Sequence, residues 1–143
     1  MAIWHNKTNT VHDLQRWATG TMSEHLGIEI LEIGENFIRA KMPVDQRTRQ
    51  PYGILHGGAS AALSETVGSI ASALATDRQK FQTVGIELNI NHIKSVKEGF
   101  VYATCKPLHI GRLTHVWDIR ISNEEGQLTA VSRLTVAVIE KRL

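Results

Sequence analysis

The sequence predicts an α+β fold in which one antiparallel sheet curls around a single long helix. Residues 56–76 would make about five helical turns and hold one charged residue, Glu65, so no side of this helix is polar. Such a helix is normally buried on all sides, and a curled sheet can surround most of it. Its own chain would cover the outer face only in part, which predicts a second helix from a subunit partner there. The segments that follow alternate between apolar and polar residues or are rich in β-branched ones, as strands are. Short turns rich in glycine and polar residues separate them, which favours antiparallel pairing.

The chain before the long helix is predicted to contain a short helix and two strands. Residues 11–18 form the helix, with Thr10 as its N-cap. Strands over 27–33 and 37–42 flank a turn of glycine and polar residues. The polar loop 43–55 then leads into the long helix, and loops in such positions often carry binding groups.

Four further strands are predicted after the helix, arranged as a meander over 82–94, 100–108, 115–122 and 128–140. In the first of them the apolar residues share one face, and His92 continues that face toward the helix. The apolar residues of that face are Val84, Ile86, Leu88 and Ile90.

Composition limits the classes of function. A chain of 143 residues that is 42% hydrophobic can bury the core of one domain, 1–143. A net charge of +2 with scattered basic residues argues against a nucleic-acid partner. The single cysteine, Cys105, and the lack of an apolar signal-peptide run predict a cytoplasmic protein. Polar residues interrupt the long helix too often for a membrane span, and no ligand spacing suggests a metal or other cofactor.

A family resemblance rests on two adjoining motifs and several shorter matches. The motifs are Met42-Pro43-Val44-Asp45-x-Arg47-Thr48-x-Gln50-Pro51-x-Gly53-x-Leu55-His56-Gly57-Gly58 and Leu63-x-Glu65-Thr66-Val67-Gly68-Ser69. The shorter matches are Asn89-x-Asn91-His92, Lys106-Pro107-Leu108-His109-x-Gly111, Val116-Trp117 and Ser132-Arg133-Leu134-Thr135. Together they resemble hotdog-fold acyl-CoA thioesterases of the 4-hydroxybenzoyl-CoA type with a catalytic glutamate. The resemblance covers nearly the whole chain and implies the hotdog fold.

The resemblance also implies a set of catalytic residues. Gly57, near the start of the helix, would polarise the thioester carbonyl through its backbone N–H, at the positive end of the helix dipole. Gln50 and His56 would assist at the same carbonyl. Glu65 would be the nucleophile or the general base that activates water, and both roles remain open. Ser69 follows one helical turn later and is placed to orient the carboxylate or the water.

Contacts to the CoA arm and the acyl group are implied at three places. They are Gly85, then His92, Ile93, Lys94 and Ser95, and then His109, Ile110, Gly111, Arg112, Leu113 and Thr114. Here His92 would line the acyl pocket near a ring hydroxyl. Lys94 and Arg112 would pair with the phosphates, although solvated lysines and arginines are an equally simple interpretation.

Helix geometry predicts a site shared between two subunits. Gly57 and Glu65 are eight residues apart, which is roughly 12 Å along one helix. One carbonyl cannot reach both, so if both act they must come from different chains. The resemblance implies the same arrangement, a homodimer with two shared sites, and beyond it a homotetramer.

The resemblance implies an aromatic acyl-CoA as the substrate, first of all 1,4-dihydroxy-2-naphthoyl-CoA of menaquinone or phylloquinone biosynthesis. One alternative is proofreading hydrolysis of misacylated aryl carrier protein in siderophore synthesis, and another is a non-catalytic acyl-CoA-binding module. At the level of single residues, the alternative for Glu65 is a structural carboxylate paired with a sheet arginine such as Arg133. His92 has the alternative of an ordinary core histidine, and Gln50 and His56 that of stabilising a turn.

Overall fold

A computed structural model describes residues 1–142; Leu143, the last residue of the predicted domain, lies outside them. The helices are α1 (Val11–Trp17), α2 (Met22–His25) and α3 (Gly57–Leu74). The strands are β1 (Glu29–Ile33), β2 (Ile38–Pro43), β3 (Phe81–His92), β4 (Phe100–Ile110), β5 (Thr114–Ser122) and β6 (Leu128–Glu140). All six strands form one antiparallel sheet, and α3 packs against five of them, β2 to β6. The predicted α+β class is therefore confirmed.

The predicted four-strand meander is wrong at its first strand. The order across the sheet is β1-β2-β4-β5-β6-β3, so β3 pairs with β6 and lies at an edge. Its register places Gly85 opposite Val136 and His92 opposite Ala130. Alternation along a segment predicts that a strand forms, but its partner is chosen by contacts distant in sequence.

The predicted single apolar face of β3 is also wrong, because the register shifts between Gly85 and Glu87. Such a bulge adds one residue to one strand and reverses the order of inward and outward side chains beyond it. Val84 and Ile86 are consequently 44% and 61% exposed, whereas Leu88, past the bulge, packs against the core.

Within a single subunit, helix α3 is buried on one face only, which agrees with the expectation that its own chain covers the outer face in part. The buried positions recur at the spacing of a helical turn. They are Ala59, Ser60, Leu63, Ser64, Val67, Gly68, Ala71, Ser72 and Leu74. The opposite side, which carries Glu65 and Ser69, is only half-buried. An uncovered apolar side of this kind is suited to a partner.

The N-terminal helices illustrate what local signals can show. Thr10 caps α1 as predicted: its Oγ1 accepts the Asp13 N–H at 3.2 Å, and the Asp13 carboxylate accepts the Thr10 N–H at 2.8 Å. Helix α2 was not predicted, because four residues are too few to show a helical period.

A polar cluster lies in the core beneath the C-terminal half of α3. The fully buried Trp117 donates from Nε1 to Ser72 Oγ at 2.7 Å, and His115 Nδ1 lies 3.1 Å from the same oxygen. His115 is 2% exposed, and this burial lowers the pKa of its imidazole. Trp4 stacks on Trp117 from the N-terminal segment.

Candidate active site

The N-terminus of α3 is capped by His56. The Nδ1 atom of His56 accepts the Gly58 N–H at 2.8 Å. A neutral imidazole that accepts at Nδ1 carries its proton on Nε2, so the other side of the ring is a donor. A Cβ on Gly58 would lie 2.9 Å from that Nδ1, which is why glycine is needed at this position.

Gly57, the first residue of α3, has a backbone N–H without an acceptor among residues 1–142. The first N–H groups of a helix lack partners within it, and they lie at its positive end. A Cβ on Gly57 would lie 2.7 Å from Nε2 of His92, so the His92 ring lies directly beside this amide. His92 is exposed in the single subunit, not a buried core histidine.

Gln50 lies in the turn just before the helix. Its Oε1 accepts the Tyr52 N–H, which leaves its NH₂ group as a donor. The loop is held in place by His56 N–H donating to the Thr48 carbonyl at 2.8 Å and by Leu55 N–H donating to the Val96 carbonyl at 2.7 Å. Gln50, His56 and Gly57 thus each bring a donor to the same end of α3, which is the requirement for stabilising an oxyanion.

A cavity of about 290 Å³ lies at this end of the helix. Its lining residues are Gln50, Ile54, Leu55, Gly57, Ser60, His92, Ile93, Lys94, Ser95, Val96 and Thr129. The predicted residues from His92 to Ser95 therefore share a cavity with Gly57 and Gln50. Sequence reasoning missed Ile54, Leu55, Ser60, Val96 and Thr129; only Ser60 carried a signal, because it follows Gly57 by one helical turn.

Glu65 lies further along α3 and does not line this cavity. Its carboxylate has no Lys, Arg or His nitrogen within 4.0 Å in the described part of the chain. Arg133 is exposed on the sheet, so the alternative of a structural ion pair is not what the structure shows. Partial burial without a cation raises the pKa of Glu65. Active-site carboxylates are often perturbed in this way.

Gly85 and Ser69 lie close to Glu65 rather than at the cavity. A Cβ on Gly85 would overlap Oε1 of Glu65, so this glycine provides the space that the carboxylate occupies. Ser69 is half-buried one turn beyond Glu65, on the same side of α3.

The remaining predicted residues form the end of β4 and the turn to β5. The Gly111 N–H donates to the Thr114 carbonyl at 2.9 Å, while Arg112 and Leu113 are exposed. Across the sheet, Gly85 pairs with Val136, Val136 with His115, and His115 with Ile110. Ile110 is thus in register with Gly85, three strand spacings or roughly 14 Å away across the sheet. The turn that follows Ile110 therefore lies at the same end of the sheet as Gly85 and Glu65.

Within one chain, then, the candidate residues divide into two groups. Gln50, Gly57 and residues 92–95 line the cavity, and His56 caps the same end of α3 without lining it. Glu65, Ser69, Gly85 and the turn 109–114 lie at the other end. Within residues 1–142, no three His, Cys, Asp or Glu side chains are arranged to hold a metal ion. No helix in the same range is both long and apolar enough to cross a membrane.

Comparison with known proteins identifies the family. Residues 52–130 match the thioesterase superfamily. The chain is 45% identical over 137 residues to the 1,4-dihydroxy-2-naphthoyl-CoA hydrolase of Escherichia coli K12, covering 96% of this chain and 99% of that protein. It is 46% identical over 137 residues to a proofreading thioesterase of Cronobacter turicensis, covering 96% and 98%. A Haemophilus influenzae relative that is 47% identical carries only a general esterase name.

The fold comparison agrees with the sequence comparison. A crystal structure of a mutant thioesterase from Pseudomonas aeruginosa matches with a TM-score of 0.96 at 39% identity, over 98% of this chain and 100% of that one. An unpaired carboxylate and a helix end with free donors are the groups that thioester hydrolysis needs. The chain therefore belongs to the thioesterase superfamily, with the hotdog fold, and is a thioester hydrolase.

Proposed function

We propose that this thioesterase hydrolyses an aromatic acyl-CoA, with 1,4-dihydroxy-2-naphthoyl-CoA as the leading candidate substrate. The observation that carries the proposal is the pairing of an uncompensated carboxylate, Glu65, with three donors at the start of its own helix. The relative from Escherichia coli bears the name of a hydrolase of that substrate, which supports the acyl group chosen.

The chemistry follows from these positions. The thioester oxygen accepts hydrogen bonds from Gly57 N–H, His56 Nε2–H and the Gln50 amide, which makes the carbonyl carbon more electrophilic. Glu65 either removes a proton from the attacking water or attacks the carbon itself, and a water then completes hydrolysis. The negative charge that develops on the oxygen is held by the donors until the C–S bond breaks. The CoA sulfur then takes up a proton, from protonated Glu65 in the general-base route or from water in the nucleophilic route, and CoA leaves as the thiol. Ser69 orients the carboxylate or the water.

We further propose that the working enzyme is a homodimer in which Gly57 of one subunit faces Glu65 of the other. The eight-residue separation keeps the two groups roughly 12 Å apart within one chain. Strand β3 supports the proposal, because its 12 residues form a sheet edge on which Val84 and Ile86 are exposed. Long apolar edges tend to be paired or covered. A homotetramer of such dimers is the extension that the family resemblance favours.

Lys94 and Arg112 are proposed partners for the CoA phosphates, since both are exposed cations beside the residues assigned to CoA. The pantetheine arm would pass along residues 92–95, with the turn 109–114 contributed by the other subunit.

Steady-state hydrolysis of a panel of aryl- and alkyl-CoA thioesters tests the function. We expect the aryl thioesters to have the highest kcat/KM and Glu65→Gln to lower kcat by about 10²-fold or more. Equal rates for wild type and Glu65→Gln would reject the mechanism, and a preference for alkyl chains would reject the substrate class.

A proofreading thioesterase acting on aryl carrier protein is the second candidate, favoured by the relative from Cronobacter turicensis. The same acyl group presented on CoA and on a phosphopantetheinylated carrier protein separates the two. A higher kcat/KM for the carrier protein would favour proofreading, and a higher value for CoA the hydrolase.

A further inference from the structure

Ser60 places a buried hydroxyl in the cavity. Ser60 is 3% exposed and lines the cavity together with Gly57. Two other hydroxyls on α3 are occupied: Thr66 donates to the Ala62 carbonyl at 2.7 Å, and Ser72 accepts from Trp117. Among the described residues, no hydrogen bond involves the Oγ of Ser60. Ser64 and Ser132 are also buried without a partner there, but neither lines the cavity, whereas Ser60 does. A ligand in the cavity can therefore supply the partner that the Ser60 hydroxyl lacks.

The position of Ser60 in the cavity selects the part of the substrate that it meets. Lys94 and Ile93 are exposed at the mouth, whereas Ser60 and Val96 are buried at the floor. The charged nucleotide end of CoA requires solvent and cations, so it must remain outside the mouth. The acyl group is therefore the part that reaches the floor, beside Ser60 and Val96.

The neighbouring hydroxyl at the cavity is already committed. Thr129 Oγ1 donates to the Ile121 carbonyl at 3.1 Å, so its proton is not available to a ligand. Ser60 alone among the buried lining side chains keeps both a donor and acceptor positions.

We propose that Ser60 Oγ hydrogen-bonds a hydroxyl on the acyl ring, at the carbon next to the one that bears the thioester. The inference rests on the proposed function and deepens it, because it names a specificity-determining residue for that site. Ser60 is the third residue after Gly57, which places it about 4.5 Å further along the helix axis. A carbonyl oxygen on the Gly57 amide and an ortho-hydroxyl on Ser60 match this spacing, whereas a para-hydroxyl points away.

Three CoA thioesters with the same ring test the inference: benzoyl, 2-hydroxybenzoyl and 4-hydroxybenzoyl, of which the last two are isomers. For Ser60→Ala we expect kcat/KM to fall about 3- to 10-fold on the 2-hydroxybenzoyl thioester, the loss of one ordinary hydrogen bond. On the benzoyl and 4-hydroxybenzoyl thioesters it should stay within about twofold of wild type, since neither reaches Ser60 with a polar group. The ratio between substrates is the readout, because a structural effect would lower all three alike.

Ser64→Ala is the matched control. Ser64 lies one turn further along α3 and is fully buried without a hydrogen-bond partner among residues 1–142, but it does not line the cavity. Its substrate ratios should equal those of wild type. Equal losses on all three substrates with Ser60→Ala, or no loss on any, would overturn the role of Ser60 and leave the aryl thioesterase standing. If wild type turned over none of the three, both the inference and the proposed substrate class would fall.

Discussion

A mixed dimer of two inactive variants tests the shared site most directly. Glu65→Gln removes the carboxylate, and we expect about 10²- to 10⁴-fold lower kcat. Gly57→Val removes access to the amide, because even a single Cβ there would lie 2.7 Å from the His92 ring. Loss of one oxyanion donor costs about 10²- to 10³-fold. Each homodimer should therefore be nearly inactive.

The mixed dimer should recover activity in one of its two sites. One site combines the intact Gly57 of the first variant with the intact Glu65 of the second, and the other site combines both substitutions. Random exchange of equal amounts makes half of the dimers mixed, so the expected activity is about one quarter of wild type. Purification through a different tag on each variant should raise that value to about one half.

The assay is thioester hydrolysis followed by release of the CoA thiol, before and after subunit exchange. Purified mixed dimers with no more activity than either parent would refute the reasoning. That outcome would mean that Gly57 and Glu65 act within one chain, in spite of the roughly 12 Å between them on α3.

Three further predictions follow from individual side chains. Because burial raises the pKa of Glu65 above its ordinary value of 4.5, kcat/KM plotted against pH should reach half its plateau on the acid side above pH 4.5. A midpoint at or below pH 4.5 would contradict the role of Glu65 as nucleophile or general base. Gly85→Ala should lower kcat at least about tenfold and leave Tm nearly unchanged, since the new Cβ displaces the Glu65 carboxylate, whereas Val84→Ala on the exposed side should not. Burial lowers the pKa of His115 below 6.5, so His115 binds its proton more readily in the unfolded chain than in the folded one. Tm should therefore decrease as the pH is lowered from 6.5, and His115→Gln should make Tm less dependent on pH in that range.

The sequence predicted the elements well and their assembly less well. The long helix, the turn residues and the strands around it are local patterns, and all were found within a few residues of their predicted bounds. The place of β3 beside β6 could not be predicted, because a local hydrophobic period does not show which strands pair with each other. The bulge at Gly85 could not be predicted either, because alternation of apolar and polar residues does not show an inserted residue. As a result of this bulge, Val84 and Ile86 are exposed to solvent.

In the candidate site, too, residues with a local sequence signal were predicted and residues placed only by packing were missed. Glu65 was identified as an isolated charge in an apolar helix, and Gly57 by its position at the helix start. The expectation that one carbonyl cannot reach both agrees with the continuous helix observed between them. Ile54, Val96 and Thr129 could not be found, because they reach the cavity only through the packing of the loop 43–55 against the ends of β3 and β6.

The extra residue in β3 makes room for the Glu65 carboxylate beside the sheet. In an unbroken strand that kept the register of Leu88, Ile86 would stand opposite Val136, with its branched side chain beneath α3. The inserted position exchanges that isoleucine for Gly85 and empties the volume next to Glu65. The shift of register in the backbone thereby gives the Glu65 carboxylate room between α3 and the apolar sheet.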